Sequence, residues 1–450
     1  MMKSIITKEL KKYQEKIEEL SIKTEFITRK VKITAESFVG TLTSVNSEEI
    51  LSDERLCRNM QEDYKIDIKR QALNKRLHET KSVEYLKKIT ESLLENSYKV
   101  TDKTIKGLLS PFKNTYIEDN SGISLQEDVK EEFRGSGGNA SKAGMKIYLN
   151  YNYTQKSIAD LKITEGVRSD SKFTDRIISI LKKGDLVLRD LGFFKIDSLK
   201  NIEEKDAYYL SRYFLATNLH INDRKIDLLE FIESKKYLNV IDEEVQISTK
   251  KLSTRLIAIR VSDKIYNERV RKLKKAYQRR RKNPKKETLK LQRYVIFITN
   301  IPKDMIEANY IGTIYRIRWE IELCFKRWKS ILKIDRLTGT NGNRTLCFIY
   351  AKLIAIILIN NFKQYALTLA YQRNRELSTD KFFKWILDRD RFQRLLAKEF
   401  SVTQFLEMIS NNITRLFKDK RLERLSSLDL ILTSASFYYS DDGVYLGTVA

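Results

Sequence analysis

Histidine is nearly absent from this chain, which contains only His78 and His220 among its 450 residues. A histidine-based metal site or a Ser/His/Asp triad therefore has almost nothing to be built from. The three cysteines, Cys57, Cys324 and Cys347, are far apart and odd in number. This excludes a disulfide framework and a zinc-binding cysteine pair, and it indicates a reducing compartment. Any metal ion must be held by carboxylates.

Proline and glycine are also scarce, with 3 and 15 residues, which argues against long linkers and low-complexity tails. The N-terminus lacks the apolar run of a signal peptide. The longest apolar stretch, 346–359, is shorter than a membrane span and includes Lys352, so we predict a buried core helix there and no membrane partner. A chain of this length is expected to form two to four structural units.

Positive charge is in large excess, because 85 lysine and arginine residues face 60 aspartate and glutamate residues and give a formal net charge of +25. The surface should carry a positive potential that favours a polyanionic partner. Nucleic acid fits best, since counterion release rewards each phosphate that is neutralised. An acidic membrane surface is the weaker alternative, because neither end of the chain contains a basic amphipathic anchor.

Residues 1–112 have helical patterns throughout and are predicted to form a helical DNA-binding region. Ser52 can cap a helix that places Leu56 and Met60 inward, and a second, basic helical pattern ends at His78. Two short helices of this kind predict a helix-turn-helix, and an ordinary solvated basic face is the alternative. The second would lay a polar and basic face along DNA, made of Lys69, Arg70, Gln71, Asn74, Lys75 and Arg76.

From residue 114 the hydrophobic period changes to two, which predicts β-strands rich in β-branched and aromatic residues. The five predicted strands are 114–120, 145–153, 158–165, 185–191 and 207–213. Helical patterns over 173–183 and 199–206 precede the fourth and fifth strands. A meander of three strands followed by helix, strand, helix and strand predicts an α/β fold with a ribonuclease-H-like mixed sheet flanked by helices.

A β-rich insertion is predicted to interrupt this fold over 214–307, with strands at 238–247, 254–261 and 292–299. Between the last two strands, 271–286 has hardly an apolar residue. Such charge density favours an arm that contacts DNA phosphates over a solvated loop. The arginines at its centre are Arg279, Arg280 and Arg281.

The remaining chain completes the predicted domain plan. The catalytic core is assigned to 113–213 plus 308–363, on either side of the insertion. The C-terminal region, 364–450, is expected to be mostly helical, with segments 380–400 and 402–417, and to serve helix packing or oligomerisation.

The segment 315–333 predicts one amphipathic helix with four chemically capable side chains on a shared face, because an ideal helix turns about 100° per residue. These side chains are Tyr315, Arg318, Glu322 and Lys329. A neighbouring apolar face, which includes Trp328, would dock the helix on a core.

Asp119 ends the first predicted strand and Asp190 ends the fourth, and these strands are neighbours in a ribonuclease-H-like sheet. Together with Glu322 they would form an oxygen-only cluster suited to Mg²⁺ or Mn²⁺. Arg318 and Lys329 would then hold DNA phosphates rather than pair with Glu322. Tyr315 would bond a phosphate or stack on a base.

These motifs resemble those of the insertion-sequence-four (IS-four) family of DDE transposases. The resemblance covers about residues 52–335 and lies in the Tyr-x2-Arg-x3-Glu-x6-Lys spacing, EDNSGISL around Asp119, the following FRGSGG, and GDLVLRDLGFF around Asp190. Departures are confined to flanking positions such as Asn120 and Phe193, and none removes a carboxylate.

The resemblance implies that Asp119, Asp190 and Glu322 are catalytic ligands of two Mg²⁺ ions, for which Mn²⁺ would substitute. It further implies a bacterial, cytoplasmic enzyme that cuts the ends of its own element, joins them to target DNA, and works as a homodimer on paired ends. Two other functions stay open: a structure-specific DNA nuclease on the same scaffold, and a non-catalytic DNA-binding regulator that uses only the N-terminal helices and the basic arm.

Overall fold

The computed structural model describes residues 2–29, 32–43, 52–95, 107–137, 141–337, 339–419, 436–440 and 443–447. The α-helices in these residues are α1 Met2–Lys23, α2 Ala35–Leu42, α3 Asp53–Tyr64, α4 Arg70–His78, α5 Thr80–Glu95, α6 Ile196–Glu203, α7 Leu228–Ser234, α8 Asp263–Arg279, α9 Lys286–Leu291, α10 Ala308–Arg316, α11 Trp319–Ser330, α12 Gly342–Tyr371, α13 Thr379–Leu387, α14 Arg391–Leu396 and α15 Val402–Asn412. The strands are β1 Thr115–Ser124, β2 Gly144–Asn152, β3 Ser157–Glu165, β4 Leu186–Arg189, β5 Tyr208–Arg212, β6 Leu219–Ile221, β7 Arg224–Ile226, β8 Val240–Ile247, β9 Leu252–Arg260, β10 Tyr294–Thr299, β11 Ser436–Ser440 and β12 Gly443–Gly447.

A mixed sheet of ten strands forms the centre of the molecule, in the order β3-β2-β1-β4-β5-β10-β9-β8-β6-β7. The first three strands are an antiparallel meander, and β4 and β5 run parallel to β1. Helices flank the sheet. This arrangement confirms the predicted ribonuclease-H-like fold class, and the five core strands lie where their alternating patterns indicated.

The segment predicted as an insertion extends the same sheet, because β10 pairs antiparallel with β5 and carries β9 and β8 beyond it. Its basic arm is helical: α8 buries no residue and leads to α9 through a turn in which Arg281 has a φ of 52°. The arm is therefore an exposed helix and turn, which the scarcity of apolar residues did not indicate.

The predicted helix over 173–183 is wrong, since the chain there forms short 3-10 turns at Asp170–Phe173 and Ile177–Ser179. An α-helix would need the Thr174 carbonyl to accept a bond from the backbone four residues later. That carbonyl instead accepts bonds from Arg189 Nη2 at 2.6 Å and Ser198 Oγ at 2.9 Å. Tertiary contacts therefore override the local helical pattern.

The C-terminal helices are shorter than predicted. Segment 380–400 is divided into α13 and α14 by Arg389 and Asp390, whose φ angles of 52° and 54° lie in the left-handed region and interrupt a right-handed helix. In segment 402–417, α15 ends at Asn412 and a 3-10 turn follows.

The glycine-rich segment after β1 packs tightly against its neighbours. Gly135 N donates to Lys142 O at 2.7 Å, and Gly144 N donates to Phe133 O at 2.9 Å. A Cβ atom placed on Gly135 would lie 2.1 Å from the Ser141 carbonyl oxygen. Glycine is therefore required here for the close approach of two backbones.

Helix α12 is buried over most of its length and packs against α4 and α5 on the N-terminal side and α13 and α15 on the C-terminal side. It also reaches the sheet, where Gln364 Nε2 donates to Lys156 O at 2.6 Å. Among the described residues α12 is the one helix long and apolar enough to span a membrane, but 83% of its most apolar window is buried in protein. The prediction of a buried core helix is confirmed.

The N-terminal helices α3 and α4 form as predicted. Ser52 caps α3 by accepting a bond from Arg55 N at 3.2 Å, and Leu56 and Met60 are fully buried. Leu73 and Leu77 of α4 are fully buried in the large core that also contains α12.

Asp53 connects this helix pair to α12. Its carboxylate accepts bonds from Asn74 Nδ2 at 2.9 Å and from Arg344 Nη2 at 2.6 Å, and the side chains of Asp53 and Arg344 are only 10% and 11% exposed. We expect Asp53→Ala to lower the free energy of unfolding by about 3 kcal/mol, because it leaves a buried guanidinium unpaired. Urea denaturation of the purified protein measures this loss.

The matched control is Glu25→Ala, which removes the partner of Lys81 in an ion pair whose side chains are more than half exposed. No measurable change is expected there. Equal losses in the two variants would contradict the assignment of Asp53 as a buried connection.

Candidate active site

Two strands bring Asp119 and Asp190 to one edge of the sheet. The parallel pairing of β1 with β4 ends at Ile117 and Leu188, and each aspartate follows two residues later. Asp190 directly follows β4, as predicted. Asp119 does not end its strand, because β1 continues to pair with β2 as far as Ser124. Beyond this point the two strands are no longer paired, and side chains from another element lie beside the two aspartates.

That element is the helical segment around Arg318, which is not the single helix predicted over 315–333. It is divided into α10 and α11, because Arg318 N donates to Tyr315 O at 3.1 Å and Ile321 N to Arg318 O at 3.3 Å, both three residues back. The tightened turn directs Arg318 inward. Glu322 lies in the first turn of α11, where the helix dipole favours a negative charge.

The apolar face of α11 docks on the core as expected. Ile321 is fully buried, and Phe325 and Trp328 are 6% and 2% exposed and meet edge to face with ring centroids 5.5 Å apart. This packing fixes the rotation of α11 about its axis and therefore the direction in which Glu322 projects.

Arg318 lies between three carboxylates. Its Nη2 donates to Glu322 Oε1 at 2.5 Å, its Nη1 is 3.8 Å from Asp119 Oδ2, and its Nε is 3.9 Å from Asp190 Oδ1. The Arg318 side chain is 10% exposed. The expectation that Arg318 would not pair with Glu322 is wrong for this state of the protein, because the three negative charges need a counter-ion.

Asp119 is the least exposed of the three acids, and its pKa rises from 3.8 to about 6. Burial is the main cause, and the nearby Asp190 and Glu322 raise it further. A bond from Asn120 N at 2.8 Å and the charge of Arg318 act in the opposite direction. The carboxylates of these acids therefore interact electrostatically, as a shared site requires.

Tyr315 contributes its hydroxyl group rather than its ring to this site. The hydroxyl donates to Arg189 O at 3.0 Å and lies 3.4 Å from Asp190 Oδ1. The ring packs against Phe297, with centroids 5.0 Å apart, and burial raises the pKa of Tyr315 well above its usual range. A buried ring is incompatible with the predicted stacking on a base, while the neutral hydroxyl holds the backbone beside Asp190.

Lys329, in the last turn of α11, contacts strand β1, which also carries Asp119. Its Nζ donates to Gly122 O at 2.7 Å. This bond joins α11 to β1, and so it supports the orientation of Glu322 relative to Asp119.

A family model described as the transposase DDE domain matches residues 110–358, which is more than half of the chain and includes all three acids. The chain belongs to the DDE transposase family. The predicted resemblance to the IS-four type is thereby confirmed, and the protein is a transposase.

Relatives that the chain matches over almost their whole length are described as transposases for insertion sequence elements. The chain is 28% identical to the transposase for insertion sequence element IS231F of Bacillus thuringiensis subsp. israelensis, over 94% of each protein. It is 26% identical to the transposase for IS1151 of Clostridium perfringens, over 92% of this chain and 93% of the relative. A solved piggyBac transposase synaptic complex with hairpin DNA aligns with 90% of this chain and 82% of its own, at 13% identity and a TM-score of 0.43.

DDE transposases generally use divalent metal ions, and the donor chemistry of this site fits such an ion. The three acids supply only oxygen ligands, which hard cations prefer. In the described part of the chain no three Asp, Glu, His or Cys side chains converge tightly enough for one ion, because Arg318 separates the acids. A bound cation would take over the charge compensation that Arg318 provides.

The predicted DNA contacts outside this site are partly available. Arg70 and Lys75 are exposed on α4, and Lys69 is exposed at its N-cap. Arg76 is not: it donates to Phe26 O at 3.0 Å, lies over the Phe26 ring, and pairs with Glu79 at 3.0 Å. Its contacts are those of a residue that stabilises the fold.

The arginines of the basic arm, Arg279–281, lie at the exposed end of α8 and in the following turn. Their exposure is compatible with the predicted contacts to phosphates.

Two charged residues beside the acids were missed by sequence reasoning. Glu118 precedes Asp119, Arg189 precedes Asp190, and both are fully buried. A signal was present, since each directly follows apolar residues of its strand and the two have opposite signs.

The raised pKa of Asp119 predicts that the wild-type acid costs stability near neutral pH. Between pH 4 and 6 the folded protein holds a proton that the unfolded chain has released, so stability falls as pH rises through this window. Asp119→Asn should therefore be more stable than wild type at pH 7.5, by about 2 kcal/mol. Denaturant unfolding at pH 7.5 and at pH 3.5 measures the difference.

The difference in stability should nearly vanish at pH 3.5, where the wild-type side chain is mostly protonated in both the folded and the unfolded state. An Asp119→Asn variant that is less stable than wild type at pH 7.5 would contradict this account.

Proposed function

We propose that this transposase cuts and joins DNA at the ends of an insertion sequence, with Asp119, Asp190 and Glu322 holding two Mg²⁺ ions. The observation that supports this most directly is the gathering of these carboxylates around Arg318 from β1, β4 and α11. Elements from distant parts of the chain contribute one acid each. Such convergence is typical of a metal-dependent phosphoryl-transfer site.

The divalent ions, when bound, would activate a water or a 3′-hydroxyl and stabilise the leaving oxygen. The protein residues orient the site around them. Arg318 is released from the acids and donates to a DNA phosphate, for which its planar guanidinium is suited. Tyr315 holds the backbone beside Asp190, and Lys329 holds α11 against β1.

Double-stranded DNA, as element ends and as target, is the proposed partner, and the excess of basic residues supports it. We further propose that the enzyme acts in the bacterial cytoplasm as a homodimer that pairs two ends. Mn²⁺ should replace Mg²⁺, since both accept carboxylate oxygens.

The decisive experiment incubates the purified full-length protein with Mg²⁺ and a duplex that carries the inverted repeats flanking its coding region. Nicking at the repeat ends and their joining to a target plasmid are expected. Cut ends that never join under any condition would favour the structure-specific nuclease. Binding without cleavage in either Mg²⁺ or Mn²⁺ would favour the DNA-binding regulator.

Binding of the repeat should depend on the exposed basic face of α4. Replacing Lys69, Arg70 and Lys75 together by alanine is expected to weaken binding and to lower the salt dependence of log K by about 0.9 for each phosphate that the variant no longer neutralises. Fluorescence anisotropy at several salt concentrations measures both quantities.

The matched control replaces Lys183, Lys250 and Lys251, which pair with exposed acids elsewhere on the surface. This variant removes the same charge and should retain the wild-type salt dependence. Equal effects in the two variants would show that net charge, rather than α4, determines binding.

A further inference from the structure

A buried ion pair lies directly behind the two aspartates. Glu118 and Arg189 each precede an acid by one residue, on adjacent parallel strands, and their carboxylate and guanidinium form an ion pair with 0% exposure of either side chain. Successive side chains on a strand point to opposite faces of a sheet. The pair therefore joins β1 to β4 on the face away from the acid cluster.

Each member of the pair is held by further bonds. Glu118 Oε2 accepts from the Tyr148 hydroxyl at 3.0 Å, which adds β2 to the connection. Arg189 Nη1 donates to Ser198 Oγ at 2.8 Å, and its Nη2 donates to Thr174 O at 2.6 Å. Since Ser198 lies on α6, the pair fixes three neighbouring strands and the helix beneath them.

The turn after Asp190 is anchored to the same place. Phe193 is almost fully buried and lies against the Tyr148 ring, with centroids 5.8 Å apart, while Phe173 stacks on that ring at 5.3 Å. Asp190 is therefore held in position by the contacts of Arg189, directly before it, and of Phe193, three residues after it.

Stability alone does not account for a pair of charges at this position. Moving two ions out of water costs more free energy than burying apolar side chains of similar size. Replacing such a pair by apolar residues is therefore often neutral or stabilising. Apolar contacts, however, have no direction along the strand. The bonds of Glu118 and Arg189 do, and they set the register of one strand end against the other.

We propose that the Glu118–Arg189 ion pair is a positioning device that sets Asp119 and Asp190 at the separation needed to hold a divalent cation. The inference rests on the proposed function, which assigns that cation to the two aspartates. Neither residue of the pair touches the cation or the DNA. Groups that orient metal ligands in this way typically change metal affinity by about 10-fold to 100-fold when replaced.

The test compares three full-length variants with wild type: Glu118→Gln, the double variant Glu118→Met/Arg189→Met, and Asp242→Asn. The double variant removes both charges together, so that it separates positioning from the cost of an unpaired ion. Asp242 pairs with the nearly buried Arg255 through two bonds of 2.8 Å between β8 and β9, away from the acids, and serves as the control. Mn²⁺ binding is followed by electron paramagnetic resonance, and stability by denaturant unfolding.

The expected result is a double variant that is at least as stable as wild type but binds Mn²⁺ about 10-fold to 100-fold more weakly. Asp242→Asn should lose stability and keep wild-type Mn²⁺ affinity. If the double variant does not fold, Glu118→Gln, which retains the shape of the side chain, should show the same loss of affinity at a temperature where it is fully folded.

A folded double variant or Glu118→Gln variant with wild-type Mn²⁺ affinity would overturn the inference and leave the proposed function intact. A wild-type protein that binds no Mn²⁺ would overturn the metal assignment itself and the inference with it.

Discussion

Glu322→Gln is expected to reduce nicking of the element ends by on the order of 10³-fold or more, with little change in DNA binding. The oxygen of an amide is neutral and binds a divalent cation more weakly than a carboxylate does, while the amide preserves the size of the side chain. Glu322 is 47% exposed and bonds to Arg318 within the same helical segment, so the fold does not depend on it. Gel analysis of end-labelled duplex, with anisotropy for binding, separates the two effects.

Glu320→Gln is the control for this variant. Glu320 lies in the same first turn of α11 but is not among the acids that surround Arg318. Its replacement should leave nicking unchanged. Wild-type nicking by Glu322→Gln would remove this acid from the catalytic site.

Arg318→Met is the second variant for which a large loss is expected, about 100-fold in nicking, similar to the loss of one preorganised donor in other active sites. The guanidinium is the positive group on which all three carboxylates converge, and its charge lowers the pKa of Asp119. Without it, that pKa should rise above about 6 in the protein before a cation binds. Because the cation binds the ionised acid, the acid limb of the pH profile should therefore move to higher pH.

The shift of the acid limb distinguishes this role from simple misfolding, which would lower activity at every pH. Arg318→Lys is expected to restore only part of the activity, because a compact ammonium cannot face three carboxylates as a planar guanidinium does. An unmoved acid limb in Arg318→Met would show that Arg318 does not control the ionisation of Asp119.

The acid set was predictable because its parts have local signatures. Alternating strands located Asp119 and Asp190, and the strand order of the predicted fold made them neighbours. Burial of Trp328 followed from helical periodicity. In each case a pattern within a few residues determined the result.

Three of the misses have a different cause, which is a bond to a distant part of the chain. The helix predicted over 173–183 does not form, because Arg189 donates a hydrogen bond to the Thr174 carbonyl. Arg318 is turned inward toward three carboxylates, of which Asp119 lies on β1 and Asp190 directly follows β4. The Glu118–Arg189 pair joins two strands that no local pattern connects. Hydrophobic periodicity identifies helices and strands, but it does not predict which distant residues will bond to one another.

Helix α12 also bears on how this protein is made on the ribosome. Leu73 and Leu77 of the N-terminal helices share a core with α12, and Asp53 and His78 bond to Arg344 and Asn343 at its start. During synthesis the N-terminal helices therefore wait for more than two hundred further residues before their own packing is complete. A product truncated ahead of α12 would lack the helix with which these leucines share a core, and it should therefore be more open to proteolysis.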